Sequence, residues 1–294
     1  MEVFMWIVQL MASTCRVSTP LLFAAMGGMM SERSGVVNIA LEGLMLLGAF
    51  VAAAATDFTH SPVLGAFAAF MAGLIFSIFY AFFVIEIGSD QIVAGTAMNM
   101  LALGLTPFFS KILYGSSTST PSLPIEFRFQ YAPVWIAFGV VVLCWVWIVK
   151  TPFGLWVQFA GEHPEALDCA GVCVKRVRWM AVLVGGGLAG LGGASLSIFL
   201  SSSFSRNMTA GRGFMALAAL IFGKWKPIPA ALACLLFGFS DAIQIRLQSV
   251  VLWGNEPVPV QFIQILPYFV TILVLAGFVG QARAPQALGI PFVK

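Results

Sequence analysis

Charge is what this sequence has least of: only 9% of its 294 residues are Asp, Glu, Lys or Arg, against about 25% in an ordinary soluble chain. So few ionic side chains cannot clothe a water-exposed globule of this length. With 60% hydrophobic residues and a mean hydropathy of +0.96, the chain has lipid as its solvent. Histidine is scarce as well, with His60 and His163 far apart, and the cysteines at 15, 144, 169, 173 and 234 form no CxxC pair. Neither a structural zinc site nor a disulfide framework is therefore expected. The net charge of +3 comes from scattered residues and offers no groove for a phosphate backbone, so no nucleic-acid partner is expected. The first residues, MEVFMWIVQL, lack the basic n-region of a cleaved signal peptide, and Ala12-Ser13-Thr14-Cys15 is a poor lipoprotein cleavage site. The chain is expected to be unprocessed. It has no GxxxxGK[ST] loop, no HExxH, no Ser/His pair and no two-carboxylate site, so neither ATP hydrolysis nor other catalysis is expected of it.

What the sequence does have is long apolar runs. Seven approach or exceed the roughly 20 residues that span a bilayer: Val3 to Met30, Val36 to Thr56, Ser61 to Ile85, Gln91 to Ser110, Tyr131 to Val149, Trp179 to Ser205 and Pro257 to Ala282. Two shorter runs, Gly213 to Gly223 and Pro227 to Ser240, flank a Lys-Trp-Lys-Pro break and read as discontinuous or tilted helices, which lipid tolerates only when protein or a water-filled cavity surrounds them. The expected fold is an all-α polytopic membrane protein of about 8–10 transmembrane segments, including short discontinuous helices, in a single transmembrane domain over residues 1–294.

If nine segments alternate, basic residues choose the orientation. Placing the 150 to 178 loop in the cytoplasm gathers Arg33, Lys150, Lys175, Arg176, Arg178, Lys224, Lys226, Arg283 and Lys294 on that side, leaving Lys111, Arg128, Arg206, Arg212 and Arg246 outside. That nine-to-five asymmetry predicts an outside N-terminus and an inside C-terminus. Lys111 to Gln130, rich in Ser, Thr and Pro, reads as an extended outer loop. Within the cytoplasmic loop, Pro164 suits a first helical turn, Glu165 and Asp168 suit its N-terminal half, and Gly171 can close it. A helix of about two turns is expected over 161 to 172, either a docking element or an ordinary amphipathic linker.

Four stretches carry a family resemblance: SERSGVVNIALEG over 31–43, QIVAGTAMN over 91–99, GEHPEALDCAGV over 161–172 and GRGFMALAALIFG over 211–223, with PQALGIPF at 285–292 as a fifth. On these strings the chain resembles the permease subunits of bacterial ABC importers in the ribose and branched-chain amino-acid permease superfamily, most closely the nucleoside branch that works with basic-membrane-protein lipoproteins. The resemblance implies an inner-membrane permease with no cofactor of its own and with ATP and magnesium held by partner ATP-binding subunits. It further implies a second permease, favoured as a paralogue, an extracytoplasmic substrate-binding lipoprotein, and a loop helix that couples to the ATPase through Gly161, Glu162, His163, Glu165, Ala166, Ala170 and Gly171. His163 and Glu165 depart from the Gly-Glu-Asn-Pro and following basic residue often seen there, which leaves the ionic partners open.

Asn38, Glu42, Gln91 and Asn99 are the candidate substrate-pathway residues. Glu42 lies inside an otherwise uncharged run with Asn38 one turn earlier, and intramembrane carboxylates face protein or water. It is either a polar contact or gate for solute, or a buried bridge to a backbone amide or to Arg16. Gln91 and Asn99 either bond a polyhydroxylated or heterocyclic solute or bond another helix. Arg16 either snorkels to an interface or meets substrate. The glycines between Gly185 and Gly193 sit at small-xxx-small spacing in an apolar run and read as close helix packing. Trp6, Trp135, Trp179 and Trp253 fall near segment ends as interfacial anchors. Few charges in the pathway fit an uncharged solute; the family resemblance implies a nucleoside first, then riboflavin, a simple sugar or a branched-chain amino acid. A standalone secondary carrier is the rival class, with Glu42 and Asp241 a meagre set for ion coupling.

Overall fold

The computed structural model describes residues 2–247 and 283–292; the run Pro257 to Ala282 lies outside them. Among the described residues the fold is all-helical, with one isolated antiparallel bridge between Ser119 and Ser205. The helices are α1 (Glu2–Arg33), α2 (Leu41–Thr59), α3 (Pro62–Ala81), α4 (Gln91–Tyr114), α5 (Ala132–Lys150), α6 (Pro152–Glu162), α7 (Pro164–Cys169), α8 (Val174–Ser195), α9 (Arg212–Phe222) and α10 (Pro227–Leu247). A π-helical turn extends α3 through Phe82–Glu86, and another extends α8 through Leu196–Leu200. Seven of these, counted with their extensions, are long and apolar enough to cross a bilayer, and α9 is a shorter apolar helix. At 1.5 Å per residue α9 reaches only about half of the hydrocarbon thickness.

Helix α8 is the axis of the bundle, packed against α1, α2 and α3. Its glycines make this possible. Gly185 abuts the backbone of Gly27 on α1, and Gly190 abuts Ala69 on α3, so closely that a Cβ at either position would strike a carbonyl. With no hydrophobic drive between helices in lipid, such backbone contact supplies the packing energy. Helices α4 and α5 lie at the other extreme, largely exposed on apolar surfaces such as Val93, Met100, Trp135 and Leu143, as lipid-facing helices should be.

Several boundaries differ from the sequence reading, each for a local reason. The first run continues to Arg33 through Pro20. The Pro227 run passes Asp241 and ends at Leu247; Asp241 is only half-buried and has the Arg212 charge near it. The Lys-Trp-Lys-Pro break is a turn in which Lys224 and Trp225 are both left-handed. The 150 to 178 loop holds two helices where one was expected. Gly161 and Glu162 close α6, whereas α7 spans six residues and ends ahead of Gly171, which adopts φ +81°.

Contacts sort the bundle into two ends. At one end Trp225, between Lys224 and Lys226, accepts from Arg33 Nε at its carbonyl, 2.8 Å away, and Ala287 N donates to Gly161 O at 2.8 Å. Lys150 leads directly into α6 there, and Lys175 pairs with Glu86 at 3.0 Å. At the other end Arg206 N donates to Thr118 O, Tyr114 bonds Asp57, and His60 stacks on Phe127. Arg33, Lys150, Lys175, Lys224 and Lys226, all assigned to one side by charge, thus gather at one end.

Candidate functional site

Between α1 and α2 runs a segment, residues 34–40, that is not helical yet is almost wholly buried. Buried irregular backbone requires its polar groups to find protein partners, and the surrounding side chains supply several of them. Gln91 Oε1, at the start of α4, accepts from Val37 N at 2.7 Å. The Tyr80 hydroxyl donates to Val37 O and also, at 3.3 Å, to Gln91 O. Asn99 lies two turns along α4 from Gln91; its Nδ2 donates to Ile39 O at 3.0 Å, and its Oδ1 accepts from Gly43 N at 2.8 Å. Glu32 accepts from the Trp225 indole at 2.5 Å and from the Asn38 backbone N–H.

Glu42, in the first turn of α2, bonds backbone amides rather than Arg16. Its two oxygens accept from Gly211 N at 2.8 Å and Gly213 N at 2.7 Å, at the amino end of α9. An anion there meets unpaired N–H groups and the positive end of the helix dipole. The fit depends on glycine, because a Cβ at Gly213 would sit 2.5 Å from Glu42 N. Asn38 Nδ2 donates to Ser31 Oγ at 3.3 Å, while Asn38 Oδ1 is buried without a partner among the described residues. Arg16 instead reaches Phe199, bonding its carbonyl at 3.2 Å and lying 5.0 Å over its ring.

All four pathway candidates therefore converge on the 34–43 segment, and three of them hold backbone. Sequence reasoning missed Tyr80, Glu32, Trp225 and Arg178. Tyr80 carried a signal, being one of four tyrosines in the chain and set inside an apolar run. Arg178 carried none, since it sits among Lys175 and Arg176 and reads as loop charge.

The loop candidates occupy the end of the bundle that holds Arg33 and Trp225. Thr151 caps α6 by accepting from Gly154 N, and α6 folds back on α5 where Gln158 Nε2 donates to Ile148 O at 2.9 Å. Leu167, 4% exposed, anchors α7 in a cluster with Val157, Val174, Val177 and Ala181. That anchoring turns His163, Glu165, Ala166, Cys169 and Ala170 outward. Glu162 and Gly161 face the C-terminal tail instead, Gly161 through its carbonyl and Glu162 by accepting from Gln286 N at 3.4 Å.

Residues 10–275 match the family described as branched-chain amino acid transport system / permease component. The chain belongs to this permease family. As a permease it is a multi-pass inner-membrane protein, and several relatives align along nearly its whole length. It is similar to the guanosine ABC transporter permease protein NupQ of Bacillus subtilis, 39% identical over 94% of each chain. The nucleoside ABC transporter permease protein NupC of Lactococcus lactis is 37% identical, again over 94% of each. The putative glucose ABC transporter permease protein TsgC13 of Haloferax volcanii is 33% identical over 96% of this permease and 94% of the relative. No solved structure matches.

Proposed function

We propose that this permease subunit of an ATP-binding-cassette importer passes a nucleoside by alternating access. The observation that carries the reading is the near-complete alignment with permeases named for guanosine and nucleosides at 39% and 37% identity. Electrostatics agrees with a neutral solute. The buried charges Glu32, Glu42 and Arg178 are each committed to indole or backbone groups, so an ion in the pathway would find no ready counter-charge. Asn38 Oδ1, fully buried and without a partner among the described residues in this conformation, is the acceptor that a ribose hydroxyl or a base amino group would meet once the pathway opens. Gln91, Asn99 and Glu42 shape the pathway by fixing the segment that presents Asn38.

ATP and magnesium sit on partner ATPase subunits, a second permease of divergent sequence completes the pore, and an extracytoplasmic lipoprotein delivers the solute. The surface formed by α7 seats in the ATPase and transmits its opening and closing. A small exposed face suits insertion in a groove, so Ala166→Trp or Ala170→Trp should obstruct it. Both variants should insert at parental levels and leave the solute affinity of the binding protein unchanged, while ATPase association with the permease pair falls at least tenfold. Full association and full uptake with both would make the loop a linker. The relative named for glucose supplies a second reading, a simple sugar. Thermal-shift screening of the cognate binding protein separates the two: stabilisation by guanosine, adenosine or uridine is expected, and stabilisation by glucose alone would overturn the nucleoside assignment.

A further inference from the structure

The C-terminal segment after Arg283 is bound to the permease body through its own backbone amides, which reach the end of α6 and the segment after α1. Ala287 N donates to Gly161 O at 2.8 Å, Gly289 N donates to Gly35 O at 3.1 Å, and Gln286 N reaches Glu162. Beneath it Arg178, only 3% exposed, spreads one guanidinium over three elements: Nε donates to Ser34 O, Nη1 to Ile290 O at 2.9 Å and Nη2 to Ala160 O. The planar fork of arginine suits such divergent carbonyls where lysine would reach one. Gly35 admits this crowding with φ +92°, and a Cβ there would lie 2.8 Å from Arg178 Nη2.

The tail and α7 enclose a groove of about 440 Å³ at the cytoplasmic end. One wall carries Pro164, Glu165 and Asp168, and the other carries Ile290, Pro291 and Phe292; Arg178 also lines the groove, with its guanidinium already bonded to the Ser34, Ile290 and Ala160 carbonyls. Ile290 is 57% exposed despite its size.

We propose that α7 and the tail segment Pro285–Phe292 form one composite docking surface for the ATPase subunit, with the groove receiving a basic side chain of that partner. The inference rests on the coupling role proposed for α7 and adds a second contact to it. An aliphatic stem lies on Ile290 and Pro291 while its cationic head meets Glu165, the amphipathic arrangement that Lys and Arg adopt at polar margins. The anionic cytoplasmic leaflet is the wrong partner for this wall, because its headgroups repel Glu165. Holding the tail against the loop also lets motion of the ATPase reach α8 and the segment that follows α1 directly, since Arg178 belongs to α8 and bonds Ser34 O.

The test uses the full importer, with Ile290→Lys and Ala166→Trp compared side by side for ATPase affinity of the detergent-purified permease pair. Ile290→Lys changes an exposed side chain and places a cation where the partner's cation should sit. The composite surface predicts at least a tenfold rise in Kd for both variants, and ATPase capture by a photo-reactive benzoyl-phenylalanine at Ile290 in proteoliposomes. Loss with Ala166→Trp alone would overturn the composite and leave the coupling role of α7 standing. Loss with neither would overturn both, and loss with Ile290→Lys alone would also overturn the composite by leaving the tail as the sole contact. A cross-link from Ile290 to lipid only, with none to the ATPase, would contradict the proposal independently of affinity.

Discussion

Glu42→Ala should abolish most uptake while the chain still reaches the membrane, and Glu42→Gln should retain an intermediate activity. Alanine strips the partners from Gly211 N and Gly213 N, and each buried donor left unpaired costs about 1 to 3 kcal/mol. With both amides orphaned, the amino end of α9 no longer has an anion to complete it, and the junction of α2 with α9 loosens. Glutamine keeps one carbonyl oxygen for one of the amides but turns an NH2 group towards the other, so half of the arrangement survives. Thermal unfolding of the purified permease pair and initial uptake rates should both rank parent, Gln, Ala. Parental stability and uptake in the alanine variant would show that the two amides do not need the carboxylate.

Arg178→Ala should be the most damaging single change at the end of the bundle where the tail docks. It removes donors to Ser34 O, Ala160 O and Ile290 O, and hydrogen bonds made by a charged group contribute about 1.5 to 3 kcal/mol each. These losses are not additive, yet a destabilisation on the order of 3 kcal/mol or more is expected, concentrated where the tail meets the loop. Hydrogen exchange gives the local readout. The amides of Ala287 and Gly289, bonded in the parent to Gly161 O and Gly35 O, should exchange at least tenfold faster in Arg178→Ala, with Arg178→Lys between. Unchanged exchange at both amides would remove Arg178 from the clamp.

How much of this was legible in the sequence follows the physics of each feature. Apolar run length marked α1 to α5 and α8, because lipid demands about 20 apolar residues per span. Small-residue spacing marked α8 as the tight packing axis, and the break at Lys224 and Lys226 marked the half-length α9. The string from Glu32 to Gly43 announced itself by putting carboxylates and an amide in an apolar setting, and the residues singled out from it and from α4 do converge. Their partners were not legible, since backbone amides at Gly211 and Gly213 leave no trace in side-chain chemistry and depend on two distant segments meeting. Helix α6 was missed because its run is short and follows Lys150 directly, although Thr151 and Pro152 were the usual start signals. The docking of the tail depends on main-chain hydrogen bonds at Ala287 and Gly289, which any residue with an N–H can make.

The central claim, an ATP-driven nucleoside permease, is tested most directly by uptake in liposomes containing this chain, the second permease and the ATPase, with the binding protein added outside. The account predicts that radiolabelled guanosine accumulates against its gradient only when ATP, magnesium and the binding protein are all present, and that this chain alone transports nothing under a proton or sodium gradient. Guanosine accumulation by this chain alone, driven by an ion gradient without ATP, would contradict it and make the protein a secondary carrier.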